Sequence, residues 1–250
     1  MNEQYIERII PPQQRELARF LVQKVFSQIP KGYFFLVGGT TVALKYGHRQ
    51  SIDFDFFSFP KQFIDHNGDV QNNYDQDIIG QIDRILRAVG IYQRNDMRPE
   101  YGQLQYQVGT VGLTFLAFQN MVAQIETDIY HVPQFPKETE INPLGLETLS
   151  LKDIAGLKAF ARTKRAKMKD IVDIAEILHH ELSLRDILEI AKRQFGYDTS
   201  EKEIMTSFLN FDDIQENVLD EPISYLGEQD TDYYVNFLKK KCLEYYNGNS

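Results

Sequence analysis

Phe34-Phe35-Leu36-Val37-Gly38-Gly39-Thr40-Thr41, followed by Arg49-Gln50-Ser51-Ile52-Asp53-Phe54-Asp55, is the stretch on which the reading turns. The continuously apolar run Tyr33–Val37 has strand character. Gly38-Gly39 turns the chain, and Thr40–Tyr46 can form a short helix that stops at Gly47. Ser51–Phe57 then alternates a polar set, Ser51, Asp53 and Asp55, with an apolar set, Ile52, Phe54 and Phe56. Side chains two apart on a strand share a face and lie roughly 6.6 Å apart along it.

Asp53 and Asp55 therefore aim two carboxylates at one volume. With oxygens ~5 Å apart at an effective dielectric of ~20, their repulsion is roughly 3 kcal/mol. Left alone, such a pair raises one pKa, whereas divalent cations remove the conflict. Magnesium typically takes one or two carboxylates plus phosphates and water, so Asp53 and Asp55 are the expected metal ligands. A strand that ends in Gly38-Gly39 at a helix start exposes backbone N–H groups suited to phosphate, and Thr40 and Thr41 can add hydroxyl donors. Arg49 could clamp phosphate or anchor its loop. Taken together, these are the parts of a phosphoryl-transfer site.

Working outward, Leu17, Phe20, Leu21 and Val25 follow Pro11-Pro12 at helical spacing and predict a helix ending near Pro30. The segment from Pro60 to Asp77 reads as polar and irregular. Ile78, Ile82, Ile85, Leu86 and Val89 mark an amphipathic helix. Strand-like stretches follow at 91–94, 103–108 and 111–118, the last two joined by a Gly109-Thr110 hairpin turn. From Ser150, a helix-capping residue, the pattern is helical only, with one helix carrying Ile154, Leu157, Lys158 and Ala161, a second carrying Ile171, Ile174, Ala175, Ile177 and Leu178, and others expected at 183–195, 200–210 and 230–246. The expected architecture is thus α/β (α+β): an amino-terminal domain over 1–145 with a small mixed sheet, then a helical domain over 146–250.

The net charge of −9 argues against a protein that coats nucleic acid non-specifically, yet it leaves room for a local basic groove. Six cations and no acid occur from Lys158 to Lys169, which suggests a basic working surface or a solvated face. No apolar stretch approaches the ~18–20 residues that cross a bilayer. The opening residues lack a secretory pattern. The single cysteine, Cys242, excludes an intramolecular disulfide. A cytoplasmic address with no membrane partner is the expectation. The five histidines show no ligand spacing and read as structural.

The strand-Gly-Gly-Thr-helix-strand-Asp-x-Asp arrangement resembles the nucleotidyltransferases of the DNA polymerase β superfamily and, more narrowly, the bacterial AbiEii/AbiGii-type toxin nucleotidyltransferases. In that group a Leu-Val-Gly-Gly-Thr motif precedes a basic-Ser-x-Asp-x-Asp-Phe strand, matched here by 36–40 and 49–56. A helical Lys and a Lys/Arg-Asp-x-x-Asp element are matched by Lys158, Lys169-Asp170 and Asp173. The resemblance implies a polymerase β-like fold and transfer of NMP from an NTP to an acceptor with two Mg2+ ions. Asp53 and Asp55 would hold the metal, Gly38, Gly39, Thr40, Thr41 and Arg49 the phosphates, and Lys158 the triphosphate. Asp173 would complete the metal site or act as a base. RNA, tRNA included, is the implied acceptor, and an antitoxin protein the implied partner. The superfamily's third strand carboxylate has no counterpart in 112–118. Three outcomes follow: Asp170 or Asp173 substitutes, two carboxylates suffice, or the chain binds nucleotide or a partner without catalysis.

Overall fold

A computed structural model describes residues 3–58, 61–64, 70–73, 76–92, 103–117, 139–211 and 222–248. The strands are β1 (Phe35–Val37), β2 (Phe54–Ser58), β3 (Lys61–Ile64), β4 (Val70–Asn73), β5 (Gln103–Val108), β6 (Val111–Ala117), β7 (Thr139–Ile141) and β8 (Glu147–Leu149). The helices are α1 (Glu3–Ile9), α2 (Pro12–Phe20), α3 (Gly39–Tyr46), α4 (Gln76–Ala88), α5 (Leu151–Lys164), α6 (Met168–His180), α7 (Leu184–Phe195), α8 (Glu201–Leu209) and α9 (Thr231–Tyr246). Six strands make one mixed sheet in the order β5-β6-β2-β1-β8-β7. Within it, β1 pairs antiparallel with β2 but parallel with β8, and β2 pairs parallel with β6.

Alternation along the strands decides what each face of the sheet meets. Leu36, Phe54, Phe56, Leu113, Phe115, Leu104 and Tyr106 all point to one side, where α2, its π-helical continuation Leu21–Val25 and α4 cover them. Phe56 and Phe115 stack there with ring centroids 5.2 Å apart. The opposite side carries Val37, Asp55 and Phe57. It meets the helical half, whose core runs from Ile154 and Ala159 of α5 through Ile171 and Ile174 of α6 to Ile187 and Phe195 of α7. A strand's two-residue period thus places the acidic set on the helical side.

Several local readings meet the structure at different boundaries. Pro12 opens α2, where its missing N–H costs nothing. Ser150 caps α5, accepting from the Asp153 N–H. Ser183 and Ser200 close reciprocal capping boxes on α7 and α8. Within the stretch read as irregular, β3 and β4 pair as an antiparallel ladder. The strand expected at 91–94 is absent from its described part, residues 91 and 92, and the remainder lies outside the described residues. Residues 118–138 lie outside the described residues, and β7 begins at Thr139. The sheet ends with β8, so the helical run starts at Leu151. No described helix is long and apolar enough to cross a membrane.

Gly156 shows how tightly α5 meets α7. A Cβ there would lie 2.8 Å from Ile190 Cγ2 and 2.1 Å from Gln194 Oε1. Gln194 is itself buried and donates to Asp153 at 3.0 Å, so it has no room to retreat. In an exposed helix Gly→Ala gains about 1 kcal/mol. Here overpacking, at about 1–3 kcal/mol, outweighs that gain. Gly156→Ala is expected to lower the thermal midpoint by a few degrees in a calorimetric scan, and a raised midpoint would contradict this packing.

Candidate active site

The turn between β1 and α3 needs both of its glycines, for different reasons. Gly38 has φ +76°, a backbone conformation that side chains disfavour, and a Cβ on it would stand 3.3 Å from Asp55 Oδ2. At Gly39 a Cβ would fall 2.0 Å from Arg49 Nη2 and 2.9 Å from Asp173 Oδ2. Both are buried groups, so no side chain fits. No side chain caps α3, whose first-turn amides therefore stand open at the turn.

Asp53 lies immediately ahead of β2. Its backbone carbonyl accepts from Gln14 Nε2 at 3.1 Å and from the Thr40 hydroxyl, which also shares a 2.7 Å hydrogen bond with Ser51. Its Oδ1 accepts from the Gly112 N–H at 3.1 Å, and a Cβ on Gly112 would come within 2.7 Å of that oxygen. Asp55 stands across from Thr114 of β6, whose hydroxyl donates to it. Burial and the neighbouring Asp53 charge push the Asp55 carboxyl above its ordinary range, against the pull of Lys158 and Thr114. The position beside Asp55 on β6 is thus held by a hydroxyl. Among the described residues no third His, Cys, Asp or Glu joins the pair as a metal-holding group.

The other acids have a different setting. Asp173 is fully buried. Its Oδ1 accepts from Arg49 Nε at 2.8 Å and lies 2.9 Å from His48 Nε2. Its Oδ2 accepts from Arg49 Nη2 at 2.9 Å and lies 2.8 Å from Lys158 Nζ. Lys158 also donates to Asp170 at 2.7 Å, and Arg165 grips Asp170 through Nε and Nη2 at 2.9 and 3.1 Å. Burial raises both carboxyls, but the cations outweigh it, holding Asp170 below the usual range and Asp173 well below. With four close contacts from three residues, Asp173 has no acceptor site to spare. The expectation that it completes the metal site or serves as a base meets a carboxylate occupied by Arg49, Lys158 and His48. A depressed pKa also makes a weak base.

Asp53, Asp55, Gly39, Arg165, Lys167 and Lys169 line one cavity of about 450 Å³, with Pro222–Ser224 on its rim. Ser224 is tied there by the Gln50 N–H at 2.9 Å. Thr40, Arg49 and Lys158 reach this cavity, whereas Gly38, Thr41 and Asp173 are not among its lining. Thr41 instead shares a 3.1 Å hydrogen bond with Thr148 and bonds the Leu36 carbonyl at 3.5 Å. Arg49 anchors its loop, bonding Asp173 and the Gln50 carbonyl. His48, read as structural, sits on Asp173. Arg165, Lys167 and Lys169 were visible only as part of a basic run. Gln14, Gly112, Thr114 and Pro222–Ser224 carried no signal, because what they touch is far away in the chain.

Compared with known proteins, residues 19–240 match the family model described as Nucleotidyl transferase AbiEii toxin, Type IV TA system. Uncharacterized protein aq_aa25 of Aquifex aeolicus (strain VF5) is 30% identical over 240 residues, covering 95% of this chain and 98% of that protein. Among solved structures, MenT4, nucleotidyltransferase toxin Rv2826c from Mycobacterium tuberculosis H37Rv, superposes with a TM-score of 0.50 at 13% identity, over 91% of this chain and 81% of that one. JHP933 from Helicobacter pylori superposes with a TM-score of 0.48 at 17% identity, over 100% of this chain and 94% of that one. At such identities the structural likeness speaks to fold alone.

The two kinds of acid should respond oppositely to neutralisation. Asp173→Asn leaves Arg49 and Lys158 undercompensated and is expected to cost about 3–5 kcal/mol. Asp55→Asn relieves like-charge crowding and should add on the order of 1 kcal/mol in metal-free buffer. Their pH dependence also differs in sign. The stability from Asp170 and Asp173 is complete above the unfolded carboxylate range and is lost as pH falls through their depressed values. The raised Asp55 value favours folding in acid, and that contribution is lost as pH rises from the unfolded range through the raised one. Denaturant titrations of both variants from acid to neutral pH measure this. Equal effects of the two substitutions would erase the distinction.

Proposed function

The chain belongs to the AbiEii nucleotidyltransferase toxin family and is a nucleotidyltransferase, and on that premise we propose that Asp53 and Asp55 form its catalytic centre, moving NMP from an NTP to an RNA hydroxyl. One observation supports this above all: the two carboxylates share a cavity with Gly39 of the turn and with Arg165, Lys167 and Lys169. Acids and cations in one space suit a magnesium-bound triphosphate, and neither group alone would.

The donor set fits magnesium. Asp53 and Asp55 crowd each other, with the Asp55 carboxyl pushed up, and Gly38 and Gly112 leave room beside both. Asp53 and Asp55 would hold the magnesium, which would supply charge neutralisation at the α-phosphate. The residues of the chain supply the rest. The Gly38-Gly39 turn and the uncapped start of α3 receive the β- and γ-phosphates. Lys158 has two of its three donors on Asp170 and Asp173, and the third is available to the triphosphate. Thr40 and Thr41 fix the turn through hydrogen bonds to Asp53, Ser51 and Thr148, while Arg49 and Asp173 fix the loop that delivers Asp53. The acceptor oxygen bonds to the α-phosphorus as the bond to the bridging oxygen of pyrophosphate breaks. The hydroxyl proton passes to solvent in the open cavity.

Membership in a toxin family supports a further part of the reading, a cognate antitoxin protein as partner, with tRNA the first acceptor to test. Incubating wild type and Asp53→Ala with each labelled NTP, magnesium and total bacterial RNA checks the transfer. Labelled RNA is expected from wild type. The variant should lose at least about 10²-fold in rate while its circular dichroism is unchanged. Undiminished incorporation by Asp53→Ala would overturn the assignment. Nucleotide binding without product from either protein would leave a binder in place of a catalyst.

A further inference from the structure

A second cavity, of about 380 Å³, opens beside the first. It lies on the helical side of the sheet, and strand register explains its composition. Asp55 of β2 lies across from Thr114 of β6, which lies across from Gln105 of β5. One step along, Phe57, Leu116 and Gln103 make a parallel row. Leu157 and Phe160 of α5 face them across the cavity. The walls are therefore apolar side chains from strand and helix, and the polar groups are the two amides, the Thr114 hydroxyl, Asp55 and the cations Lys158, Lys164 and Arg165, with Gly38 beside them. Among the described residues neither the Gln103 nor the Gln105 side chain has a hydrogen-bond partner. Asp55, Lys158 and Arg165 border both cavities, so the second space begins where the acidic pair ends.

This composition differs from that of the first cavity, which adds Lys167 and Lys169 and suits phosphate. Apolar walls for the faces of a flat ring, with amides at its edge, suit an unstacked base of single-stranded RNA. A glutamine amide offers both a donor and an acceptor, so two of them can tell one base edge from another. The volume lies within the ~300–1,000 Å³ range of small-ligand pockets. In-line transfer decides which base. Nucleophile and leaving group lie on opposite sides of the reacting phosphorus. Gly39, Lys167 and Lys169 line only the first cavity, so pyrophosphate leaves on that side and the acceptor enters from the other.

We propose that this second cavity is a base-reading slot for the 3′-terminal nucleotide of the acceptor RNA, with Gln103 and Gln105 selecting its base. The inference rests on the transferase reading above and adds a specificity determinant to it. The slot holds the terminal base so that its ribose hydroxyl meets the α-phosphorus. That hydroxyl's oxygen forms the new P–O bond, pyrophosphate carries off the old one, and the proton goes to water. Gln103 and Gln105 position and select, and they touch no reacting atom.

The test uses the full chain with short oligoribonucleotides that differ only in their 3′-terminal base. Wild type, Gln105→Ala and Gln103→Ala/Gln105→Ala are compared, with melting curves to confirm folding. β5 is an edge strand and its glutamines are only half-buried, so both variants should fold. The expected result is a loss of about tenfold or more in the ratio of kcat/KM between best and worst acceptor, with KM for the NTP unchanged. A shift in preference among the four NTPs at constant acceptor preference would assign the slot to the donor base and overturn the proposal. So would no change in either preference. If wild type labels no oligonucleotide, the transferase reading fails separately, and fluorescence anisotropy with the same labelled oligonucleotides judges the slot. About tenfold weaker binding by the double variant sustains it, whereas equal binding, or none by wild type, overturns it.

Discussion

A carboxylate sealed from water has to be matched by cations, and the arrangement of this protein follows from how Asp173 is matched. Its partners come from two places: Arg49 and His48 from the loop before β2, and Lys158 from α5. The loop belongs to the sheet half of the chain and the lysine to the helical half, so one buried acid ties the two together beside the glycine turn. Desolvating these groups costs several kcal/mol each, which only close, multiply bonded geometry offsets. That requirement explains why Gly39 tolerates no side chain: the space it leaves is filled by the Arg49 guanidinium. It also explains how the loop presents Asp53 in a defined position.

The same few residues hold opposite electrostatic solutions side by side. Asp170 and Asp173 are over-supplied with positive charge and remain ionised. Asp53 and Asp55 are crowded against each other, and Asp55 is driven toward protonation. The first arrangement supports the fold and the second works against it. A protein retains the second kind where a ligand or ion completes it, which is how functional centres come to concentrate perturbed carboxylates.

What the sequence disclosed depended on how far apart the interacting residues lie. The glycine pair, the α3 helix with its stop at Gly47, and the shared face of Asp53 and Asp55 are local and were legible from spacing alone. The family read from residues 34–56 is the one whose model the chain matches from 19 to 240. Asp173 could be picked out on its helix, but its neighbours could not. Arg49 is more than a hundred positions away, and nothing in either segment announces the other. Thr114 was invisible as a partner of Asp55 for the same reason: the parallel register of β2 with β6 is a property of the folded sheet. Lys158 fell between, since family resemblance singled it out while its grip on two acids exists only in the folded chain.

The wide spacing of these partners has a consequence for synthesis on the ribosome. β1 and β2 emerge early, yet Arg49 meets its counter-ion only once α6 has left the exit tunnel, and Ser224 joins the rim later still. Long-range contacts of this kind form late because chain closure must precede their reward. A nascent or prematurely truncated chain ending before α6 would carry the acidic pair without the scaffold that aims it.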